Sequence, residues 1–365
     1  MKHITFWRIY SAISIILGAI SAFVRFYYGL GAATALSDKV PWGLWVGIDI
    51  LTGVALAAGG FIFSTAVYIF GLERYRPLVR PAILTACLGY LFFVIGLLVE
   101  LGRPWNIWHA LIYWNIHSPL FEIAWCVMLY TSILLVEVFI PILERLGWTT
   151  LERALHKALP LLVIAGAALS TLHQSSLGTL YGLMVGKMHP LWYSPVLPLI
   201  FFASCICAGL AMVMVEAFLS ERFLHQKAPI ELLSALSRPL VIALLAYTSI
   251  RLIDIVQRGA FSAMTAEEAV AFFVELTLFH ILPVLLLISH RNRASPRRLF
   301  VAAFSVVLGL VAHRLNVAIT SFGLAYFPTW MEFAVTNALV VAAFWVFRLL
   351  ARYTFDASPR AAHIG

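Results

Sequence analysis

Ten long apolar segments follow one another along the chain, and short polar stretches separate them. A helix needs about 20 apolar residues to cross the hydrocarbon core of a membrane, and each segment reaches that length. The segments are approximately 5–28, 42–70, 80–101, 119–143, 154–177, 193–219, 238–258, 268–289, 298–322 and 328–351. No Gly/Ser-rich or Pro-rich linker lies between them. The pattern therefore predicts an all-α integral membrane protein, a single domain over residues 1–365 with about ten transmembrane helices.

The composition supports a membrane protein and excludes a soluble globular one. Hydrophobic residues make up 62% of the 365 residues, charged residues make up 12%, and the mean hydropathy is +0.94. The apolar run 9–23 is longer and more aromatic than the core of a cleaved signal peptide, so we expect it to be retained as part of the first helix. The cysteines all lie in apolar runs and lack the C-x-x-C spacing of a metal or cluster site. They are Cys87, Cys126, Cys205 and Cys207.

Basic residues are divided unequally between the two sets of connections. Of the 25 Lys and Arg residues, 18 lie at the two termini or after the second, fourth, sixth and eighth segments. Because basic connections stay on the cytoplasmic side, both termini are predicted to be cytoplasmic in a multi-pass protein of the cell inner membrane. These connections also explain the net charge of +8. The charge therefore predicts no nucleic-acid partner.

Six of the ionisable side chains inside the apolar segments are candidates for function. A charged residue at a helix centre costs about 2.5–3.5 kcal/mol on insertion scales, so a chain that retains six of them is expected to use them. In the predicted orientation all six fall in the outer half of the membrane, and we call them the outer polar layer. They are Asp49, Glu122, His173, Arg251, Asp254 and Arg314. We expect them to form one candidate site.

The outer polar layer contains the groups that a quinone headgroup requires. Such a ring needs hydrogen-bond partners at its two carbonyls and a nearby acid or base. Asp49, Glu122 and His173 can supply both, because histidine titrates near neutrality and burial shifts a carboxylate towards it. Arg251 and Asp254 are three residues apart on one helix face, where they can instead form a purely structural ion pair.

Other ionisable residues add less to the sequence picture. Glu137 and Glu216 lie in the cytoplasmic half and Glu275 in the outer half, where such acids either extend a proton route or simply reach the membrane surface. The membrane histidines do not show the paired spacing of two stacked b haems, and no cluster or nucleotide motif is present. They are His173, His280, His290 and His313. We therefore expect no haem, iron-sulfur cluster or nucleotide of the chain's own.

Several short motifs spread over the chain resemble the NrfD-like family, the membrane subunits related to that of polysulfide reductase. Within that family the resemblance is to the HybB type of nickel-iron hydrogenase subunits. The motifs are Pro41-Trp-Gly-Leu-Trp45 with Asp49, Arg76-Pro-Leu-Val-Arg-Pro81, Leu120-Phe-Glu122, Glu144-Arg-Leu-Gly-Trp148, His173-Gln-Ser-Ser176, His189-Pro-Leu-Trp192 and Tyr326-Phe-Pro-Thr-Trp330.

The resemblance implies a fold of two four-helix bundles plus extra helices, and a subunit without a cofactor of its own. It implies electron exchange between menaquinone or ubiquinone and an iron-sulfur partner on the outer face. The catalytic partner is expected to be a hydrogenase, with a molybdoenzyme or a multihaem cytochrome as alternatives.

The resemblance also assigns residue roles. It makes Asp49, Glu122 and His173 proton-handling and quinone-pocket residues, and it adds Arg251 and Arg314 to the pocket. Near the pocket mouth or the docking face it places Trp42, Trp45, His189 and Trp192. A transporter and a haem-b cytochrome subunit remain as alternative functions.

Overall fold

A computed structural model describes residues 2–224 and 226–355, which include ten helices long and apolar enough to cross a membrane. The predicted number of spanning helices is therefore confirmed. In chain order they are α1 (Lys2–Tyr28), α2 (Val46–Ile69), α3 (Val79–Glu100), α4 (Pro119–Leu146), α5 (Thr149–Gly182), α6 (Leu197–Leu224), α7 (Ile230–Gln257), α8 (Ala266–Leu287), α9 (Pro296–Ala318) and α10 (Trp330–Phe355). Positions 356–365 of the predicted cytoplasmic tail lie outside the described residues.

Most helix boundaries agree with the apolar pattern to within a few residues. The largest difference is at α7, which begins at Ile230 and not at 238, and which carries Pro239 inside it. The first turns of α7, before Pro239, contain polar residues, so the apolar pattern predicted the start of the helix too late. Membrane helices tolerate an internal proline because neighbouring groups satisfy the backbone that it frees.

Helix packing produces two four-helix bundles. Helices α2 to α5 contact one another and form bundle one, and helices α6 to α9 form bundle two. Helices α1 and α10 pair with each other, and α10 also packs on α3. This is the arrangement that the family resemblance predicts. The orientation of the termini stays a prediction.

The two bundles meet along α2, α5 and α6, with the closest approach at two glycines. A Cβ atom added to Gly59 of α2 would lie 2.1 Å from the Cα of Gly209 in α6. Small residues let membrane helices approach until their backbones touch, and van der Waals contact then holds them together. The glycine pair therefore fixes the spacing between the bundles.

Two spanning helices contain π-helical segments, Val46–Thr52 at the start of α2 and Thr277–Ile281 within α8. Helix α9 packs against both of them. A π segment adds a residue to a turn, and such segments occur frequently at functional sites. The first contains Asp49 and the second contains His280. The sequence pattern gave no sign of either segment.

Candidate functional site

Asp49 and Trp45 both face α10. The Thr336 hydroxyl of α10 donates a hydrogen bond to Asp49 Oδ2 at 2.7 Å. The Trp45 indole N–H donates to the carbonyl oxygen of Glu332 at 3.0 Å, and Trp45 is buried. Trp45 and Asp49 therefore connect the start of α2 to α10, and no hydrogen bond among the described residues joins Asp49 to another member of the outer polar layer.

Two of the motifs that suggested the family contact each other. The Tyr326 hydroxyl accepts a hydrogen bond from the backbone N–H of Leu44 at 2.8 Å and donates one to the carboxylate of Glu332. A Cβ added to Gly43 would lie 2.3 Å from the Tyr326 hydroxyl oxygen, so a larger residue there would displace the Tyr326 side chain. Burial and the neighbouring carboxylate raise the pKa of Tyr326, which lies outside the spanning helices. The contact anchors the entrance to α2.

His173 lies at the centre of bundle one and has no exposed surface. Its Nδ1 atom shares a 3.0 Å hydrogen bond with the hydroxyl of Tyr130 in α4. The Tyr130 ring contacts that of Tyr90 in α3 at 4.0 Å, and the Tyr90 hydroxyl bonds to Ser170 at 2.8 Å. The His173 Nε2 atom is enclosed and makes no hydrogen bond. Bundle one therefore holds an oriented imidazole with one free nitrogen.

Glu122 lies in the first turn of α4 and is half-buried. It precedes Tyr130 by eight residues, which is about 12 Å along the helix. Within the part of the chain that the structure describes, no hydrogen bond joins Glu122 to His173. The two residues share bundle one and the predicted outer half, but they are not in direct contact.

Glu275 of α8 is the centre of a polar network in bundle two and is completely buried. Arg251 of α7 forms an ion pair with its carboxylate. The remaining donors come from α9 and from the connection before α6. They are His313 Nδ1 at 2.8 Å, Asn316 Nδ2 at 2.8 Å and Trp192 Nε1 at 3.0 Å. Four donors satisfy the Glu275 carboxylate and strongly specify its position, although Arg251 Nη2 and His313 Nε2 make no hydrogen bond.

The predicted pairing of Arg251 with Asp254 is wrong. Asp254 pairs instead with Arg258, one turn further along α7, at 2.6 Å. Arg251 is buried and points at Glu275, whereas Asp254 and Arg258 are partly exposed near the helix end. The three-residue spacing permitted a pair between Arg251 and Asp254. Arg251 instead pairs with the Glu275 carboxylate on α8, which is fully enclosed.

Arg314 of α9 is buried completely without a carboxylate partner among the described residues. Its Nη2 atom donates to the Ser204 hydroxyl at 2.9 Å, and its guanidinium carbon lies 3.6 Å from the centre of the Phe201 ring. Its Nε and Nη1 atoms are enclosed and make no hydrogen bond. Glu275 is within electrostatic range, but its oxygens are already engaged by other donors. The site therefore contains a cation with unused donors.

Trp42 connects the surface to the region around Arg314. Its ring lies 4.9 Å from that of Tyr181 in α5, and the Tyr181 ring lies 6.1 Å from Phe201. Trp42 also lines a shallow groove with Ala318, one turn beyond Arg314 on α9. An aromatic wall therefore leads from the groove to the guanidinium.

The connections between α3 and α4 and between α5 and α6 are both rich in aromatic residues, but they differ in their exposure. Trp105 and Trp108 are exposed, at 67% and 46% of their surface. In the connection before α6, however, Trp192 is buried against Glu275, and His189 bonds through Nε2 to the Ala263 carbonyl oxygen at 3.0 Å. Trp192 and His189 therefore hold loops together, and only the first connection presents free aromatic surface.

Sequence reasoning missed the central roles of Glu275, His313 and Tyr130. Glu275 was visible as an acid in the outer half, and His313 directly precedes Arg314. Tyr130 contacts His173 43 residues away and Glu275 contacts His313 38 residues away, each on the next helix along the chain, so no spacing within one helix could reveal these contacts. The one available signal was that each is an ionisable or hydroxyl-bearing residue at the depth of the outer polar layer.

The fold and its polar layer define a polytopic helical membrane protein with two bundles and buried ionisable groups in each. The family model "Polysulphide reductase, NrfD" matches residues 32–325. The chain therefore belongs to the NrfD family.

Individual relatives support this membership. A Nitratidesulfovibrio vulgaris protein is 36% identical over 361 residues, which cover 94% of this chain and 92% of the relative. The probable Ni/Fe-hydrogenase 2 b-type cytochrome subunit of Escherichia coli is 33% identical over 90% of this chain and 86% of its own length. The menaquinone reductase integral membrane subunit of N. vulgaris is 26% identical over 91% of this chain and 89% of its own length.

Proposed function

We propose that this chain is the quinone-reactive membrane subunit of a respiratory oxidoreductase complex. It passes electrons between the membrane quinone pool and an iron-sulfur partner on the outer face. Relatives named as subunits of a hydrogenase and a menaquinone reductase support the assignment. Between these, the hydrogenase subunit is the more similar in sequence, so a hydrogenase is the catalytic partner that we propose.

The observation that carries the proposal is a set of buried donors with unused bonding capacity. The Nε and Nη1 atoms of Arg314 are enclosed without a partner, and so is His173 Nε2, which is a donor when the Tyr130 hydroxyl donates to Nδ1. A polar group left unbonded in an apolar medium costs free energy, so these atoms are suited to a ligand that accepts hydrogen bonds. A quinone has two carbonyl acceptors for such donors and an apolar tail that suits the apolar helices around them.

The proposed roles of the individual residues follow from their contacts. His173 and Glu122 handle protons in bundle one, and Trp42 with Arg314 contributes to the pocket between the bundles. Asp49 remains a proton-handling candidate beside α10. The other predicted residues hold their neighbours in place. Arg251 and Trp192 position the Glu275 carboxylate. Trp45 and His189 fix the connections around the site.

The docking face is proposed to include the connection between α3 and α4. Its aromatic residues Trp105, Trp108 and Trp114 are exposed at 67%, 46% and 63%. Tryptophan is enriched at the centres of protein interfaces because it buries much surface at little entropic cost. It is also common at the membrane surface, so the same residues contribute to anchoring the chain.

Replacing His173 with Ala or Glu122 with Gln tests the proton-handling roles. We expect quinone-linked turnover of the complex to fall by about 10²-fold or more, the usual contribution of a general acid or base. Turnover with an artificial dye that bypasses the membrane subunit should be unchanged. Both activities are measured on the same purified complex.

His280→Ala is the matched control for His173→Ala. His280 is also buried, bonds through Nδ1 to the hydroxyl of Thr248 at 2.6 Å and has an unpartnered Nε2, but it lies in bundle two. It should retain quinone-linked turnover. Equal losses for the two variants would mean that cavity formation, and not proton handling, explains the effect.

A haem-b subunit is the second candidate, because the E. coli relative is named a b-type cytochrome subunit. Two imidazoles that hold a haem must face each other across the porphyrin. The Tyr247 ring stacks on His280 at 5.1 Å and lies 6.4 Å from His313, so a side chain fills the space between these two rings. His173 lies in the other bundle. Among the described residues, these histidines do not fit a bis-histidine haem.

A visible spectrum of the purified chain distinguishes the two candidates. We expect no Soret band that copurifies in proportion to the chain. A stoichiometric Soret band that shifts on reduction would reject the proposal of a subunit without its own haem. The spectrum is recorded on the chain separated from its partners, so that haem in another subunit does not contribute.

A further inference from the structure

A cavity lies between the two bundles at the end opposite to the outer polar layer. It contains about 630 Å³ of open space, part of it continuous with the surroundings. Its walls come from the start of α3, the last turns of α6 and the connection that follows. None of the residues proposed to act on quinone lines it, so it is a separate feature of the molecule.

The base of the cavity presents acceptors for a cationic group. Glu216 and Ser220 of α6 line it and are only 5% and 7% exposed. Glu216 Oε1 and the Ser220 hydroxyl are enclosed and make no hydrogen bond. No basic side chain within the described part of the chain forms an ion pair with Glu216. A buried carboxylate without a cation is costly, which points to a ligand that brings positive charge and N–H donors.

The mouth of the cavity has the opposite charge. Lys227, in the connection between α6 and α7, is exposed and lines the opening. Leu78 and Val213 add apolar surface to the lining of the cavity. A ligand that fits this order has a cationic group at its inner end, an anionic group further out and an apolar part beside them.

The cavity lies close to the end of α6. Glu216 lies eight residues and Ser220 four residues before the end of α6 at Leu224, which is about 12 Å and 6 Å. Because a 28-residue helix is longer than the roughly 20 residues that the hydrocarbon core requires, we expect the last turns of α6 to reach the boundary with the lipid headgroups.

We propose that this cavity binds the headgroup of a lipid that carries a primary ammonium group and a phosphate, as phosphatidylethanolamine does. The ammonium group donates hydrogen bonds to Glu216 and Ser220, and the phosphate pairs with Lys227. A trimethylammonium headgroup has no N–H to donate and cannot replace it. The site would fasten the two bundles together at this end, where α3 and α6 both contribute to it.

The test measures lipid retention on the purified full chain by native mass spectrometry after extensive exchange into detergent. We expect the wild type to retain phosphatidylethanolamine about tenfold better than phosphatidylcholine, the loss that one charge-assisted hydrogen bond accounts for. Phosphatidylglycerol, which lacks the ammonium, should also be poorly retained. Equal retention of the three lipids, or of none, overturns the proposal.

Matched variants locate the site. Glu216→Gln should remove the preference for phosphatidylethanolamine. Glu137→Gln, which changes another buried acid that does not line the cavity, should leave it intact. Lys227→Gln is an exposed change that should weaken retention without affecting folding. If Glu216→Gln and Glu137→Gln behave alike, the assignment to this cavity is wrong.

A soluble competitor tests whether the cavity binds an intact lipid or a small soluble compound that carries an ammonium group. Phosphoethanolamine should displace the retained lipid only at high concentration, because it lacks the acyl chains. Displacement at equal concentrations would show that the headgroup alone is bound and would overturn the lipid assignment.

Discussion

Glu275→Gln should destabilise the folded protein more than any other single substitution in bundle two. The change leaves Arg251 buried beside a neutral amide, and removing one partner of a buried ion pair costs about 3–5 kcal/mol. It also disturbs three further donors that converge on the same carboxylate. We expect a large drop in the midpoint of thermal unfolding, measured in detergent by the loss of the monodisperse peak in size-exclusion chromatography.

Two comparisons test the charge explanation. Glu267→Gln changes an exposed acid on the same helix and should leave the unfolding midpoint unchanged. The double variant Arg251→Met with Glu275→Gln removes both charges and should recover part of the lost stability, because no unpaired ion remains. If the double variant is no more stable than Glu275→Gln alone, an uncompensated arginine is not the cause.

Much of the architecture could be predicted because the membrane imposes it. Ten apolar runs of sufficient length gave ten spanning helices, and the basic connections suggested their orientation. The start of α7 was placed too late because the turns before Pro239 are polar. The π segments were invisible, since the extra residue in a turn depends on how α9 packs against α2 and α8.

The sequence predicted which residues of the candidate site are buried, but it did not predict which residues they contact. His173, Arg251 and Arg314 are all buried, as the energetic argument required. In the fold the ionisable residues divide between bundle one, bundle two and the contact with α10, and their grouping into one site stays a prediction. Pairing was the weakest part: Arg251 has an acid three residues away, yet its partner lies 24 positions away on another helix. Sequence spacing constrains neighbours on one helix and says nothing about neighbours across a bundle.

Arg314→Met should have opposite effects on stability and on function. Arg314 is buried without a carboxylate partner, so replacing it with an apolar side chain of similar length should stabilise the unliganded protein, by about 1–4 kcal/mol on the scale of buried charge replacements. If its unused donors hold a quinone oxygen, quinone-linked turnover should fall by about 10²-fold, as when a donor to a developing negative charge is removed. Dye-linked turnover should be unchanged.

Arg251→Met is the matched control, because both arginines are buried and both are replaced by the same residue. Arg251 has Glu275 as its partner, so its loss should destabilise the protein, whereas loss of Arg314 should not. A quinone analogue should raise the unfolding temperature of the wild type but not that of Arg314→Met, because binding stabilises only a protein that retains the site. If Arg314→Met is destabilised as strongly as Arg251→Met and still gains stability from the analogue, Arg314 is structural. The sign of the stability change therefore separates a buried cation that holds helices together from one that is kept for a ligand.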